Sequence, residues 1–167
     1  MPVMTNQIKR PEWDEYWMQV AQVISTRSTC IRRQIGAVIT LDNILLSTGF
    51  NGSCRKLENC SDTQICLRDT LQIPSGTQLQ IDHAVHAEQN ALLNLPFNLK
   101  QYTLKSQCAV FNTPKPTMYV TTYPCPICAK LLIQAGIRRV VCYSAYSNQD
   151  AIELLAQAGV EVCWTNS

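Results

Sequence analysis

The stretch MYVTTYPCPICAKLLIQAGI, residues 118 to 137, carries a strand, a turn and a helix in succession. Met118 to Thr122 is apolar and β-branched, and Pro124-Cys125-Pro126-Ile127-Cys128 follows after Tyr123. Proline suits the first turn of a helix and little else in one, so the prolines set a helix start, and the apolar pattern over 126–135 runs to a stop at Gly136. Cys125 and Cys128 are three apart and share one face of that helix at its N-terminus, where the dipole favours thiolate over thiol.

Downstream, a strand is predicted over 138–143, a helix over 149–158 ended by Gly159, and a strand over 160–164. Strand, helix, strand, helix, strand implies parallel pairing through right-handed crossovers. Upstream, 84–95 reads as a helix ended by Pro96. The apolar runs 35–41 and 44–48 flank Asp42-Asn43, a pair that tolerates the left-handed turn of a β-hairpin. The first of these strands looks buried on both faces. Trp13, Trp17, Val20, Ala21 and Ile24 recur at helical spacing, so 12–27 reads as an amphipathic helix. The fold class is α/β, a mixed five-stranded sheet with helices on both faces. Residues 1–11 form a polar arm, and 12–167 a single domain with irregular insertions at about 53–82 and 97–115. A structureless loop as long as the first insertion is improbable unless something pins it. Cys54, Cys60, Cys66 and the nearby His83 offer that pin.

The chain has 167 residues, of which 46% are hydrophobic and 16% charged, enough to bury the core of one domain. Its net charge is +2, with basic residues scattered apart from Arg32-Arg33 and Arg138-Arg139, which argues against a stable nucleic-acid partner. There are nine cysteines but no charged start leading into an apolar signal segment, and no apolar run of membrane length. The expectation is a cytoplasmic protein with no membrane partner, whose reduced cysteines point to metal first.

His86 with Cys125 and Cys128 can hold a zinc ion with one tetrahedral position left for water, and Glu88, two residues past the histidine, stays free as a proton carrier. A lone Cys-x-x-Cys is more often a structural half-site or a redox pair. The added His86 and Glu88 turn the reading to catalysis. Cys30, Cys60, Cys66 and His83 make a closed Cys₃His set that would hold a second, structural zinc, free thiols being the other reading. Cys142 and Cys163 fall in strands and read as core.

His-x-Glu followed by Pro-Cys-x-x-Cys is the signature of zinc nucleobase deaminases. Together with HAEQNALL at 86–93 and RSTCIRRQIGAVI at 27–39, the sequence resembles the deoxycytidylate deaminases over most of residues 12 to 163. The resemblance implies a three-layer α/β/α cytidine-deaminase-like fold and zinc-dependent conversion of dCMP to dUMP and ammonia, the dUMP supplying thymidylate synthesis. It implies Glu88 as the proton carrier and a 5′-phosphate site near Arg27 and Ser28, with Asn51 and Tyr146 as further contacts. Gly49-Phe50-Asn51-Gly52 resembles the family's Gly-Tyr-Asn-Gly stretch, which implies dCTP as activator and dTTP as inhibitor, with accompanying Mg²⁺, in a homohexamer. Read from residues alone, 27–33 is equally a solvated turn and 49–52 equally a strand-ending turn. Rival readings are a deaminase that also takes dCTP, a tRNA adenosine deaminase, and a zinc-stabilised scaffold without catalysis.

Overall fold

The computed structural model describes residues 9–74, 77–78, 81–96, 115–143 and 149–165. Tyr146, Cys108 and the insertion over 97–114 lie outside the described residues. The first helix, α1 (Trp13–Ser25), leads into β1 (Gly36–Leu41) and β2 (Ile44–Phe50). Asp42 and Asn43 join them at φ 49° and 59°, the left-handed pair that a two-residue hairpin turn needs. Two-residue β3 (Gly52–Ser53), the single-turn helices α2 (Cys60–Thr63) and α3 (Leu67–Thr70), and β4 (Ala84–Val85) follow. The first insertion is therefore not structureless, because two turns of helix and the antiparallel β3–β4 bridge punctuate it.

Helix α4 (Ala87–Leu93) is shorter than the predicted 84–95. Its first three residues are replaced by β4 and by His86, an extended N-cap. Beyond come β5 (Thr117–Val120), α5 (Pro126–Gln134), β6 (Arg139–Cys142), α6 (Gln149–Gln157) and β7 (Glu161–Trp164). Gly136 and Gly159 adopt φ 82° and 70° just past α5 and α6, and Ile137 and Val160 donate back to Leu132 and Leu155, which closes each helix as the sequence predicts.

The five-stranded sheet has the order β2-β1-β5-β6-β7. Strand β1 is antiparallel to both neighbours, and β5, β6 and β7 are parallel, so the predicted mixed sheet forms. One face packs Ala37, Ile39, Met118, Val120 and Val140 against α4, α5 and α6. The other packs Val38, Tyr119 and Val141 under Trp17, Met18 and Ala21 of α1. These are the three layers. β1 is buried on both faces because it is covered on both.

Close backbone approach fixes where α4 sits. A Cβ at Gly49 would meet the Ala87 carbonyl and the Ala91 amide, so glycine in β2 lets α4 lie directly on the strand. Strand β2 is also a sheet edge. Asn90 and Asn94, one turn apart on α4, donate their side-chain amides to the Phe50 and Thr48 carbonyls at 2.8 and 2.9 Å. The edge is thereby capped, and the helix that starts at His86 is held in register with it.

α1 is tied to the sheet by charge as well as packing. Arg139 of β6 donates to both Asp14 carboxylate oxygens at 2.7 and 2.6 Å, and the Tyr119 hydroxyl donates to Asp14 at 3.0 Å. The hydrogen bonds from Arg139 hold the Asp14 carboxyl below its usual value of 3.8. Asp14→Asn is expected to cost about 1 kcal/mol near neutral pH, roughly 2–4 °C in Tm for a chain of this size. Since the folded carboxyl titrates below the unfolded one, this stabilisation is complete above pH 3.8 and fades as pH falls through the folded value. Thermal melts of wild type and variant should thus differ at pH 7 and converge in strong acid. A gap that stays constant down to pH 2 would assign the contact to shape and not to charge.

Candidate active site

Two helix starts meet beyond the C-terminal end of β5. Cys125 is the N-cap of α5, and its sulfur accepts from the Cys128 amide at 3.4 Å, with Pro126 at the first helical position as its fixed φ requires. His86 is the N-cap of α4, and its own amide donates to the Gln89 side chain at 2.9 Å. Being an N-cap, His86 leaves the axis of α4 and turns towards α5, while Glu88 stays in the first turn. This is a sharper separation than two positions on one helix would give.

His86 Nδ1 lies 3.6 Å from Cys125 Sγ and 3.3 Å from Cys128 Sγ, and the three ligand atoms all lie within 4.8 Å of one another. A tetrahedral zinc with Zn–S near 2.3 Å and Zn–N near 2.0–2.1 Å sets sulfur and nitrogen about 3.6 Å apart, so the three fit that ion through Nδ1. Cys125 is drawn down to about 4, first by its hydrogen bond with Cys128 and then by that with His86. The bond to Cys125 holds Cys128 up, with burial adding to it, and the bond to Cys125 also raises His86. The N-terminus of α5, which carries both sulfurs, favours thiolate over thiol, and a cation bound there would favour it further.

Glu88 is 3% exposed and makes no ion pair among the described residues. Burial pushes its carboxyl up, against the pull of His86. A carboxyl that can hold or release a proton here is a usable acid and base. It opens on a cavity of about 690 Å³ whose wall also includes His86, Cys125, Thr29, Asn51 and Tyr123. Tyr123 is 4% exposed and stacks on Trp164 with ring centroids 5.2 Å apart.

The remaining predicted residues divide. Asn51 is buried and lines the cavity, yet its side chain is largely committed. Oδ1 accepts from the Ile35 amide at 2.8 Å and from the Ser28 hydroxyl at 2.6 Å, and Nδ2 donates to the Arg33 carbonyl at 2.9 Å. Arg27 is exposed, and neither it nor Ser28 belongs to the cavity wall, where Thr29, Arg33 and Lys56 stand instead. Sequence reasoning missed these three. The Arg-Ser-Thr-Cys-Ile-Arg-Arg run located the loop, but only the loop's turn decides which side chains face inward. Gly49 lies under α4, and Gly52 under the Thr29 side chain.

Cys30, Cys60, Cys66 and His83 all line the same cavity but do not close into one ligand set. Among the described residues, His86, Cys125 and Cys128 are the only such group of His, Cys, Asp or Glu. The Cys60 thiol is raised by burial and then by Cys66, Cys30 and Asp82. His83 is exposed, and its carbonyl instead accepts from the Cys54 amide at 2.9 Å. The sequence set these four residues together as one ligand group, but it could not show that His83 turns outward next to the β3–β4 bridge.

Fold and site define a zinc-site deaminase architecture, and comparison with known proteins agrees. The family described as cytidine and deoxycytidylate deaminase zinc-binding region matches residues 11–144, and the chain belongs to that family. It is 34% identical over 138 residues to the deoxycytidylate deaminase of Mycobacterium phage D29, covering 80% of this chain and 96% of the phage protein. It is 32% identical over 154 residues to that of Schizosaccharomyces pombe, covering 92% of this chain but only 44% of the yeast protein. Among solved structures, dCMP deaminase from the cyanophage S-TIM5 in complex with dCMP and dUMP superposes with a TM-score of 0.67 at 30% identity, over 94% of this chain and 99% of that one.

Proposed function

We propose that this chain hydrolyses the C4 amine of dCMP to give dUMP and ammonia, the dUMP serving thymidylate synthesis. The observation that carries the reading is a buried carboxyl, Glu88, on a cavity wall beside a His86, Cys125 and Cys128 set spaced for zinc. Zinc held by those three side chains supplies a water acidic enough to attack near neutral pH. Glu88 takes one proton from the attacking water and gives it to ring N3 as the C4 adduct forms, then takes the second from the adduct's hydroxyl and passes it to the amine, so that the C4 carbonyl forms as ammonia leaves. Its buried setting suits the work, because a raised carboxyl pKa keeps both protonation states within reach. Tyr123 and Asn51 shape the wall against which the base lies, and the apolar floor excludes bulk water.

The 5′-phosphate is assigned to the loop 27–33, where Arg33 and Thr29 face the cavity directly after Arg27 and Ser28 in the chain, with Lys56 across from them. Guanidinium and hydroxyl donors suit phosphate oxygens. A deaminase that also takes dCTP is the rival within the same chemistry, and dCTP is therefore tested beside dCMP. A second zinc on Cys30, Cys60, Cys66 and His83 is part of the reading and would require the exposed His83 to turn in towards the three thiols. A zinc-to-chain ratio of two against one decides it. Regulation by dCTP and dTTP with Mg²⁺ in a homohexamer is assigned to Gly49–Gly52, because that stretch touches α4 through Gly49 and the Phe50 carbonyl. An effector pressing there would move Glu88. Among the described residues no helix is long and apolar enough to cross a membrane, and a cytoplasmic location is proposed with the activity.

The test is loss of cytosine absorbance with dCMP, dCTP and deoxycytidine, with and without effectors. Turnover of dCMP well above deoxycytidine is the expected result. Zinc-loaded protein that turns over none of them would leave the scaffold or tRNA reading.

A further inference from the structure

Arg68 lies in the first insertion, and nothing in the chemistry above uses it, yet its side chain is only 6% exposed. Isolated cations are rarely buried so deeply unless they are paired and hydrogen-bonded. Here three carbonyls and one carboxylate surround it. One guanidinium nitrogen donates to the Gln78 carbonyl at 3.1 Å, the other to the Pro74 and Thr77 carbonyls at 3.0 and 2.6 Å, and Nε faces the Asp82 carboxylate at 3.7 Å. Asp82 in turn accepts from the Ala84 amide at 3.1 Å. Ala84 and Val85 are β4, paired to Ser53 and Gly52 of β3, and the next residue is His86.

Pro74, Thr77, Gln78 and Asp82, between α3 and β4, are therefore gathered around one cation, and the last of them stands four residues before His86. His86 is an N-cap with extended backbone (φ −71°, ψ 156°), so no helical hydrogen bond upstream of it sets its direction. The Gln89 side chain holds its amide from the helix side, and the path of β4, held at Asp82 and by β3, sets the direction from which the chain arrives. We propose that Arg68 is a positioning residue for the metal site: by fixing Asp82 it fixes the Ala84–Val85 strand, and so the direction from which His86 Nδ1 meets Cys125 and Cys128. This rests on the zinc reading of that site.

A purely architectural role is the rival, and Arg32 supplies the control. Arg32 pins the same insertion, through Asp69 at 3.2 Å and the Ile73 carbonyl at 3.4 Å, but it touches neither Asp82 nor β4. Rates of zinc release to a coloured chelator are compared for wild type, Arg68→Met, Arg68→Lys, Asp82→Asn, the Arg68→Met/Asp82→Asn double variant and Arg32→Met, with Tm measured for each. Removing a partner behind a metal ligand typically weakens metal binding 10- to 100-fold, and Arg68 acts one step further out, so release about tenfold faster is expected for Arg68→Met. Lysine keeps the charge facing Asp82 without the fork to the carbonyls and should recover part of the loss. Asp82→Asn should match Arg68→Met, and the double variant should be no worse than either, as for two residues acting in series.

Arg32→Met should lower Tm while releasing zinc at the wild-type rate. Wild-type release from Arg68→Met, or equal acceleration in Arg32→Met, overturns the proposal. Zinc missing from the wild type itself overturns the metal reading and this inference together, a result distinct from equal release rates. A variant too unstable to purify is replaced by Arg68→Lys, for which the same order of rates is required.

Discussion

Glu88→Gln should leave the protein folded and zinc-loaded while turnover of dCMP falls by on the order of 10²- to 10⁴-fold. The substitution keeps the volume and one hydrogen-bonding oxygen, which matters because the side chain is buried between the metal ligands and the sheet. It removes the one property the reaction needs at that point, the ability to take up and give back a proton. On the proposed reading zinc is held by His86, Cys125 and Cys128 and not by Glu88, so zinc content should be unchanged. Because burial raises the Glu88 carboxyl, replacing it by an uncharged amide even relieves a desolvation cost, and Tm should hold or rise slightly. Stability held and activity lost is the pattern of a group kept for chemistry. Steady-state rates, metal analysis and a melt on one preparation test it, and a variant retaining a tenth of the wild-type rate would remove Glu88 from the proton path.

The parts of this protein that were legible in the sequence are those whose signal is local. The Asp42-Asn43 turn, the glycine stops at 136 and 159 and the proline-marked start of α5 each depend on φ preferences or missing donors of the residues themselves. The parallel pairing of β5, β6 and β7 followed from them, since right-handed crossovers leave few alternatives, but the strand order of the sheet was not read from the sequence. The metal triad was legible because cysteines three apart at a helix start must share a face. What was hidden depends on direction at a distance. Nothing in the run 27–33 says that Thr29 and Arg33 border the cavity while Arg27 does not, because a loop has no period to read. Nor does the sequence around Arg68 distinguish a buried cation from a solvated one. Its acceptors are backbone carbonyls, and carbonyls have no sequence.

The same contrast makes Cys125→Ser the sharper test of the metal site. Cys128 is fully buried on α5, so serine there would add an unsatisfied hydroxyl to the loss of a ligand, and the two effects could not be separated. Cys125 is half-buried, and its structural duty is to cap α5 by accepting from the Cys128 amide. Serine does that duty well, being among the preferred N-cap residues. Oxygen in place of sulfur, however, gives a neutral hydroxyl where the wild type offers a thiol already drawn down to about 4. The variant should therefore fold, keep its helix content and lose zinc affinity by more than the roughly 10- to 100-fold that outer partners contribute. Deamination should fall to background with it. Chelator provides the internal check: it should lower the Tm of the zinc-loaded wild type, because a ligand bound only by the folded state stabilises it, and should leave the Tm of Cys125→Ser where it was. A Cys125→Ser protein that keeps one zinc per chain through chelator dialysis would show that the ion, if it binds at all, is held by other side chains than these.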